Sequence, residues 1–584
     1  MEICAISCPE NVKKRSKKRS CAFCYLTLQF YNGIIVRNWI FWSDYMISGA
    51  EIMVKCLQEE GVSVLFGYPG AVICPFFDEL THTDIKAVLV RQEQNAAHCA
   101  SGYARALSTV GVCVATSGPG ALNMITGIAT AYMDSIPLVC ITGQVRSDVL
   151  GRDVFQEADI TGACESFVKH SYLVKDTADL PRVFKEAFHI ASTGRPGPVL
   201  IDVPVDVQTG TVGEFVYPEK VNIIGYKPSV HGHPMQIKRA LDMISQSKRP
   251  IICAGGGVLS SGAKPKFREF VDKTGIPVVS TMMGIGIMPT NDPRYVGMLG
   301  SHGMKAANVS VHNADLVILC GARVGDRAVA SPDQVVEHAN VIHIDIDPAE
   351  IGKNMKTSIP IVGDMKNVLS QMLKSVDYTT PDEWKQQIAK WKDEYTVSVR
   401  KYDGYVEPKS FIAHLSEKLR PKAIMCADVG QNQIWCANNY RIRDGRFFTS
   451  GGMGTMGYSV PAAAGAKMAR PDRDVIAVCG DGSFQMSLNE LATIAQENLN
   501  VKIIVMRNTV LGMVHELQDL HYGSRYAVTE LETIPDFVKL AQAYGIDSAM
   551  AYSNEEAEAL AEKMMQSDKP FVLVCNVHPN TTSR

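Results

Sequence analysis

Continuous apolar runs alternate along this chain with amphipathic stretches of helical period. From Met46 onward, ISGAEIMVKCLQEEGVSVLFGYPG predicts a helix, a strand and a turn at Pro-Gly. The runs IKAVLV, GVCVATSGPG and IPLVCITG follow as further strands, with helical patterns between them. Strands that are apolar throughout are typical of a parallel sheet that helices cover on both faces. The pattern therefore predicts an α/β fold.

The alternation of strands and helices occurs in three successive units. The first unit ends with GRPGPVLIDVPVDVQ, and a linker with several prolines leads to a second that begins with RPIICAGGGV. A polar stretch rich in Trp and Lys separates the second unit from the third. A chain of 584 residues has room for three or four domains of ordinary size. We predict three domains, at 46–215, 235–375 and 405–575, that are alike in architecture and not in sequence.

Residues 1–45 differ in composition from the rest of the chain. They carry a basic block, KKRSKKRS, followed by a mixed apolar stretch. An organelle-targeting segment, a weak signal peptide and a small metal site are alternatives for this extension. The preferred interpretation is that it comes from an upstream start and that the functional chain begins at Met46. The metal alternative would use four cysteines, Cys4, Cys8, Cys21 and Cys24.

Composition excludes several classes of function. The net charge of −3 provides no overall field that would recruit nucleic acid or a membrane surface. No run in the body of the chain is long and apolar enough to span a bilayer. The 16 cysteines are scattered singly through apolar runs, which indicates buried thiols in a reducing compartment. We therefore predict a cytoplasmic protein, with an organelle-targeted precursor as the less favoured alternative.

The most informative segment lies between Gly480 and Asn508. An apolar run, VIAVC, ends in Gly-Asp-Gly, and a helical stretch and a second apolar run lead to Asn508. If the two runs are neighbouring parallel strands, Asp481 and Asn508 emerge at the same edge of the sheet. A carboxylate and an amide carbonyl beside glycines suit a Mg²⁺ ion that also binds a diphosphate. On spacing alone, two ordinary turns explain the pattern equally well.

Several motifs carry a resemblance to one enzyme family. Gly-Asp-Gly with an asparagine 27 residues after the aspartate resembles the diphosphate-binding signature of thiamine-diphosphate enzymes. The adjoining FQMSLNELAT and LGMV are similar to segments of acetohydroxyacid synthase (acetolactate synthase) catalytic subunits. The similarity extends from about Met46 to near the C-terminus, roughly nine tenths of the chain.

The resemblance implies a set of catalytic residues. Glu93, in VLVRQEQNAAHC, would contact the pyrimidine ring nitrogen of the cofactor, although a glutamate at a helix start can also simply stabilise the helix dipole. Met456, in SGGMGTMG, would support the cofactor in a bent shape, and the backbone of Gly454 would bind its pyrimidine. Phe155 and Gln156, in GRDVFQEADI, would line the side of the second substrate.

The same resemblance implies contacts to the diphosphate and the metal. The metal ligands would be Asp481, Asn508 and Val510. The remaining contacts to thiamine diphosphate would come from Pro69, Asn123, Val429, Gly430, Gln431, Gly482, Ser483, Gly512 and Met513.

The middle unit resembles the FAD-binding domain of this family. Glycine-rich turns at strand ends, with an acidic residue further on, suit a dinucleotide. They also suit the same fold without a flavin, which is the alternative. In the family the flavin is structural. The matching positions are Arg195, Gly255, Thr281, Met282, His302, Gly321, Arg323, Asp345, Ile346 and Asp364.

The chain departs from the family pattern near the expected site. YPGAV places Ala71 and Val72 where a glycine and an alanine are usual, which narrows the pocket. Asn432 replaces a histidine, and Arg507 replaces the first asparagine of the metal motif. In HELQ, Leu517 stands where a tryptophan shapes the acceptor pocket, and this leaves the preference between pyruvate and 2-oxobutyrate open. Val205 replaces a lysine.

The resemblance implies acetolactate synthase activity, which joins the two-carbon remainder of pyruvate to a second 2-oxo acid. A pyruvate oxidase or decarboxylase of the same fold is one alternative, and a catalytically weak cofactor-binding scaffold is another. In this family the cofactor lies between the first unit of one subunit and the third of another, so a homodimer or tetramer is implied. The family usually works with a small regulatory subunit.

Overall fold

The computed structural model describes residues 26–31, 34–39, 46–329, 332–396 and 399–583. Three six-stranded sheets, parallel throughout and flanked by helices, form the frame and confirm the predicted α/β class. The cysteines of the alternative N-terminal metal site lie outside the described residues. Within the predicted extension, β1 (Leu26–Tyr31) and β2 (Ile34–Trp39) form an antiparallel pair.

The first unit is built on a six-stranded sheet whose three central strands, 111–115, 138–144 and 198–204, are buried along their whole length. Its strands are β3 (Ile47–Ser48), β4 (Val64–Tyr68), β5 (Lys86–Leu89), β6 (Gly111–Ala115), β7 (Leu138–Gln144), β8 (His170–Leu173), β9 (Pro198–Pro204) and β10 (Thr211–Val212). Its helices are α1 (Gly49–Glu59), α2 (Cys74–Leu80), α3 (Glu93–Leu107), α4 (Pro119–Met133), α5 (Ile160–Cys164), α6 (Leu180–Ser192) and α7 (Val205–Thr209). The sheet order is β5-β4-β6-β7-β9-β8.

The middle unit has a different strand order. Its strands are β11 (Pro250–Ala254), β12 (Val278–Ser280), β13 (Tyr295–Met298), β14 (Leu316–Cys320), β15 (Asn340–Asp345) and β16 (Ile359–Val362). Its helices are α8 (Pro234–Gln246), α9 (Gly256–Ser260), α10 (Lys264–Thr274), α11 (Lys305–His312), α12 (Pro332–Val336), α13 (Met365–Leu373) and α14 (Asp382–Glu394). The order β13-β12-β11-β14-β15-β16 is the doubly wound arrangement that binds dinucleotides where the order reverses, between β11 and β14.

The third unit repeats the topology of the first. Its strands are β17 (Ile424–Ala427), β18 (Arg446–Phe448), β19 (Val475–Gly480), β20 (Val501–Arg507), β21 (Asp547–Ala551) and β22 (Phe571–Asn576). Its helices are α15 (Pro408–Lys418), α16 (Gln431–Asn439), α17 (Ser459–Ala469), α18 (Asp481–Gln485), α19 (Leu491–Gln496), α20 (Gly512–Tyr522), α21 (Phe537–Ala543) and α22 (Asn554–Gln566). The order β18-β17-β19-β20-β22-β21 matches that of the first sheet strand for strand.

Each predicted domain contains one of these sheets, and the boundaries themselves stay a prediction. The sequence predicts three units of one architecture. In the structure the first and third units share a strand order, and the middle unit has a different one. No helix in the described ranges is both long and apolar enough to cross a membrane. Every cysteine in the described part of the chain is a free thiol, and all but Cys74 are buried.

The outer two units are joined by a close helix contact. A Cβ on Gly102 of α3 would lie 2.0 Å from the carbonyl oxygen of Ala462, and one on Gly465 of α17 would lie 1.9 Å from that of Cys99. Glycine at both positions therefore allows the two backbones to touch. At the end of α3 nearest the candidate site, the Glu490 carboxylate accepts from the Arg91 N–H and the Asn95 amide.

Candidate active site

Asp481 forms the centre of a polar corner at the carboxyl edge of the third sheet. It directly follows β19, which runs parallel to β20 as the spacing predicts. Its Oδ1 accepts from the Gly482 N–H at 2.9 Å, and its Oδ2 accepts from the N–H groups of Asn508 at 3.0 Å and Thr509 at 2.7 Å. Burial raises the pKa of this carboxyl to about 6. The structure thus holds a buried carboxylate in place with three backbone donors.

Asn508 completes the corner from the end of β20. Its side chain is 6% exposed, its Nδ2 donates to Gln431 Oε1 at 3.1 Å and its Oδ1 accepts from the Val510 N–H at 3.2 Å. The next residue, Thr509, has φ +63°, a strained backbone conformation for a β-branched residue. Such strain costs about 1–3 kcal/mol and clusters at functional sites. Carboxylate and amide oxygens beside each other are the ligands that Mg²⁺ prefers, so these residues fit the ion.

The N-termini of α16 and α20 meet at this corner. A Cβ on Gly512, the first residue of α20, would lie 2.1 Å from Gln431 Oε1 and 2.9 Å from Asn508 Nδ2. Gly430, which precedes α16, has φ +142°. Backbone N–H groups at helix N-termini attract anions, so the corner fits a diphosphate. Val429 and Met513 adjoin these two helix starts, whereas the Ser483 hydroxyl is bonded locally to the Gly480 N–H at 3.0 Å.

The loop with Met456 is fixed by an aspartate that sequence reasoning missed. Asp428 is fully buried and accepts from the N–H groups of Gly457 and Ser459, each at 2.8 Å. These bonds tie the loop to the end of β17. The Met456 methyl lies 3.7 Å from the position of a Cβ on Gly482, so this side chain lies next to the polar corner at Asp481. Gly454 has φ +72°. An acidic residue between an apolar strand and a glycine was the available signal for Asp428.

Glu93 and Asn123 are brought together in the first unit. Glu93 is the first residue of α3, is partly buried, and accepts from Asn123 Nδ2 at 3.0 Å through Oε2. A Cβ on Gly120 would lie 3.3 Å from Glu93 Oε1 and 2.8 Å from the Thr116 methyl. Among the described residues, the buried Thr116 and Ser117 hydroxyls have no hydrogen-bond partner, which fits a polar ligand beside Glu93. Pro69 lies exposed at the neighbouring end of β4.

Phe155 and Gln156 lie in the loop after β7. Gln156 has φ +60°, and a Cβ on Gly118 at the start of α4 would lie 2.8 Å from its carbonyl oxygen. Phe155 is 88% exposed. The hydrogen bonds of Glu93 stay within the first unit and those of Asp481 stay within the third. The two halves of the predicted catalytic set are therefore separate networks in one chain.

Nearly all the candidate flavin residues lie at the carboxyl ends of the middle strands. A Cβ on Gly255, after β11, would lie 2.2 Å from the carbonyl oxygen of Gly321, after β14. This close approach marks the point where the strand order reverses. Asp345 ends β15, and burial raises the pKa of its carboxyl to about 6. The neighbouring strand ends carry Thr281, Met282, His302, Arg323 and Ile346. The arrangement fits a dinucleotide.

Several of the predicted flavin contacts also have partners within the protein, as Arg195 and Asp364 illustrate. Arg195 donates to Ser135 Oγ at 2.9 Å and forms ion pairs with Glu350 at 2.9 Å and Asp347 at 3.3 Å. It therefore joins the first unit to the middle one. Asp364 is the N-cap of α13, where its Oδ1 accepts from the Asn367 N–H at 3.0 Å.

A buried carboxyl below the Phe155 loop should make stability depend on pH. Asp202, in β9, accepts from the Thr142 hydroxyl at 2.7 Å and Gln144 Nε2 at 3.0 Å, and the latter also donates to the Ala158 carbonyl at 2.8 Å. Burial raises the pKa of Asp202 from 3.8 to about 7. The folded protein therefore keeps a proton that the unfolded chain releases, and stability falls as pH rises between these values.

We expect the ionisation of this carboxyl to lower the free energy of unfolding by roughly 4 kcal/mol between pH 4 and pH 7, since each pKa unit corresponds to about 1.4 kcal/mol. Asp202→Asn should reduce the dependence of stability on pH by that amount, as measured by urea denaturation at several pH values. Asp84→Asn, at an exposed aspartate of the same unit, is the control and should keep the parent slope. A parent protein whose stability is flat from pH 5 to pH 7 would contradict the prediction.

Comparisons with known proteins match this architecture unit by unit. Residues 47–163 match the N-terminal TPP binding domain of thiamine pyrophosphate enzymes, 237–372 match the central domain, and 428–575 match the C-terminal TPP binding domain. The chain is 43% identical to the probable acetolactate synthase large subunit of Methanococcus aeolicus, across 92% of this chain and 93% of that protein.

Bacterial proteins give the same result. The identity to the acetolactate synthase isozyme 3 large subunit of Escherichia coli (strain K12) is 42%, across 89% of this chain and 93% of that protein. The identity to the acetolactate synthase of Arthrospira platensis is 43%, across 90% of this chain and 93% of that protein. The chain belongs to the acetolactate synthase large-subunit family. The resemblance seen in the motifs is thereby confirmed along most of the sequence.

Four departures from the acetolactate synthase pattern lie on three helices and at the end of one strand. None of the 11 residues of α20 is buried, and Leu517 on this helix is 45% exposed. Arg507 ends β20 and donates to Asn576 Oδ1 at 3.2 Å. Asn432 donates to the Asp428 carbonyl at 2.7 Å. Val205 begins α7 directly after β9. All of these side chains are accommodated without loss of the strand order.

Proposed function

We propose that this protein is an acetolactate synthase that depends on thiamine diphosphate and Mg²⁺. It decarboxylates pyruvate and joins the remaining two-carbon unit to a second 2-oxo acid, pyruvate or 2-oxobutyrate. This is the first step of branched-chain amino acid synthesis. The observation that carries the proposal is the buried Asp481–Asn508 pair at neighbouring strand ends, within a chain about 42–43% identical to named synthases.

The side chains of the site divide the task between binding and proton transfer. When bound, thiamine diphosphate supplies the carbon nucleophile and the electron sink for decarboxylation. Asp481, Asn508 and the backbone of Val510 hold Mg²⁺, while the helix starts at Gln431 and Gly512 hold the diphosphate. Glu93 holds the proton that the pyrimidine ring nitrogen needs. Catalytic roles for Met456, Phe155 and Gln156 belong to the same proposal.

We further propose a structural FAD in the middle unit. The support is its strand order, which is that of dinucleotide-binding folds, together with the buried Asp345 and the touching glycines at the switch point. The flavin would lie across the carboxyl ends of β11 and β14. It has no redox step in the reaction proposed here.

We infer that the working unit is a homodimer or a tetramer. Phe155 is 88% exposed, far more than a large aromatic side chain usually is, and it lies on the loop assigned to the second substrate. A second subunit that supplies its third unit would cover this loop and bring Asp481 opposite Glu93. The large-subunit names of the relatives support a small regulatory subunit as an additional partner. Free thiols favour the cytoplasm.

Product analysis tests the function directly. The purified protein is incubated with Mg²⁺, thiamine diphosphate and pyruvate, alone and with 2-oxobutyrate, in the presence and absence of FAD. Acetolactate, with 2-aceto-2-hydroxybutyrate when 2-oxobutyrate is present, is the expected result. Acetaldehyde or peroxide as the main product would point to a decarboxylase or an oxidase. Cofactor binding without release of CO₂ would point to a scaffold.

The choice of second substrate should respond to position 517. Leu517→Trp adds aromatic surface where the family pattern has a tryptophan, and the extra methylene of 2-oxobutyrate gains contact with it. One methylene is worth about 1–3 kcal/mol in such a pocket. We therefore expect the product ratio to shift about tenfold toward 2-aceto-2-hydroxybutyrate when both acids compete. Leu520→Trp, on the same exposed helix, is the matched control and should leave the ratio unchanged.

A further inference from the structure

The last described residues of the chain pack next to the polar corner formed by Asp481 and Asn508. Thr581 and Ser583 are 8% and 3% exposed. The indole N–H of Trp435, in α16, donates to the Thr582 carbonyl at 2.9 Å. The Ser583 N–H and hydroxyl donate to the two oxygens of Glu516, in α20, each at 3.0 Å. This C-terminal tail, residues 581–583, therefore lies between the two helices whose N-termini form the corner.

The tail also fixes the side chain of Gln431. Its Nε2 donates to the Thr581 carbonyl at 2.9 Å and to Glu516 Oε2 at 3.0 Å. A backbone carbonyl can only accept, so the amide nitrogen of Gln431 must face the tail and its Oε1 must face the other way. That oxygen lies 3.1 Å from Asn508 Nδ2. A side chain at position 512 would collide with both of these groups, so glycine at this position leaves room for their contact.

The direction of the Asn508 amide follows from this arrangement. Because Gln431 offers only an acceptor, Asn508 must turn its NH₂ toward it and its carbonyl oxygen toward the other side. That oxygen accepts from the Val510 N–H at 3.2 Å, and it is the only atom of the amide group that could bind a cation. A reversed Asn508 would present NH₂ to the cation and could not bind it.

We propose that Gln431, held by the C-terminal tail and Glu516, is the positioning residue that orients the Asn508 carbonyl toward the cation. The end of the chain thereby sets the affinity of the site for divalent metal, through a relay of three side chains. The inference rests on the proposed metal site and adds the residues that preorganise it. Partners of this kind typically contribute 10–100-fold to metal affinity.

The test measures metal affinity and not turnover. Mn²⁺ replaces Mg²⁺ as the probe, and its binding to the full-length protein with saturating thiamine diphosphate is followed by electron paramagnetic resonance. Gln431→Met keeps the length of the side chain and removes both polar ends. Gln433→Met is the matched control, because Gln433 lies on the same helix but donates to Thr449 Oγ1 at 2.6 Å. A variant that ends at Asn580 removes the tail alone.

We expect Gln431→Met to weaken Mn²⁺ binding at least tenfold and the shortened variant to weaken it several-fold. Gln433→Met should remain within twofold of the parent. Thermal melting of the metal-free proteins checks that each variant is folded.

Parent-like Mn²⁺ affinity in Gln431→Met, or an equal loss in Gln433→Met, would overturn the inference. A parent protein that binds no Mn²⁺ would overturn both the inference and the proposed metal site. A parent that binds Mn²⁺ but yields no acetolactate would contradict the proposed reaction alone. The relay is then judged on the binding data of its variants.

Discussion

Glu93→Gln is expected to lower kcat about a thousandfold in the presence of saturating Mg²⁺ and thiamine diphosphate. Glutamine preserves the shape of the side chain, and its carbonyl can still accept from Asn123 Nδ2, now 3.0 Å from Glu93 Oε2. It cannot exchange a proton with the pyrimidine nitrogen. A positioned acid or base contributes about 10²–10⁴-fold to rate. Steady-state assay of acetolactate formation measures the loss.

The alternative role of Glu93 predicts a different outcome. A first-turn glutamate that only stabilises the dipole of α3 contributes about 0.3–1 kcal/mol to stability and nothing to kcat. Glu555→Gln, at an exposed first-turn position of α22, reproduces that loss without touching the site. If Glu93→Gln turned over as fast as Glu555→Gln, the assignment of Glu93 to proton transfer would be wrong.

Asp481→Asn is the second large effect. The substitution keeps the size of the side chain, but it removes the negative charge and turns an NH₂ group toward the cation or toward a backbone donor. Residues that only orient metal ligands typically contribute about 10–100-fold to metal affinity, and the loss of a ligand itself should weaken binding by more than that. We expect Mg²⁺-dependent binding of thiamine diphosphate to weaken by at least about a hundredfold, as measured by calorimetric titration.

The fold should tolerate this change. Burial raises the pKa of Asp481 to about 6, so at pH 8 the folded protein contains a charge whose burial is unfavourable. Asparagine removes that cost while it loses one hydrogen bond, and the melting temperature of the metal-free protein should shift by only a few degrees. Asp547→Asn, at the exposed amino end of β21 in the same sheet, controls for charge. Unchanged cofactor affinity in Asp481→Asn would refute the metal site.

Local patterns predicted the parts of the molecule that depend on local physics. Two apolar runs with a helix between them are sufficient for a right-handed crossover, so β19 and β20 and the meeting of Asp481 with Asn508 follow from the sequence. The same logic placed the glycine turns of the middle unit at strand ends. The strand order 3-2-1-4-5-6 of that unit was not predictable, since it depends on which distant strands pair.

Contacts between distant residues left no signal in the sequence. Gln431 meets the tail across 150 positions, and Arg195 meets Glu350 across 155. The motif interpretation assigns Arg195 to a flavin, which stays a prediction, and it gave no indication of the ion pairs of Arg195 with two acids of the middle unit. Asp428 was within reach, because an acidic residue that ends a buried strand needs partners. The close contact between α3 and α17 at Gly102 and Gly465 could be recognised only in the folded structure, because the two helices are far apart in sequence.

The exposure of α20 has a consequence for how the enzyme family diversifies. A helix with none of its 11 residues buried contributes little to the free energy of folding, so substitutions along it cost little stability. Position 517 can therefore drift between leucine and tryptophan while the scaffold remains above its stability threshold. Under the role proposed for residue 517, the preference for the second substrate can therefore change without a large loss of stability.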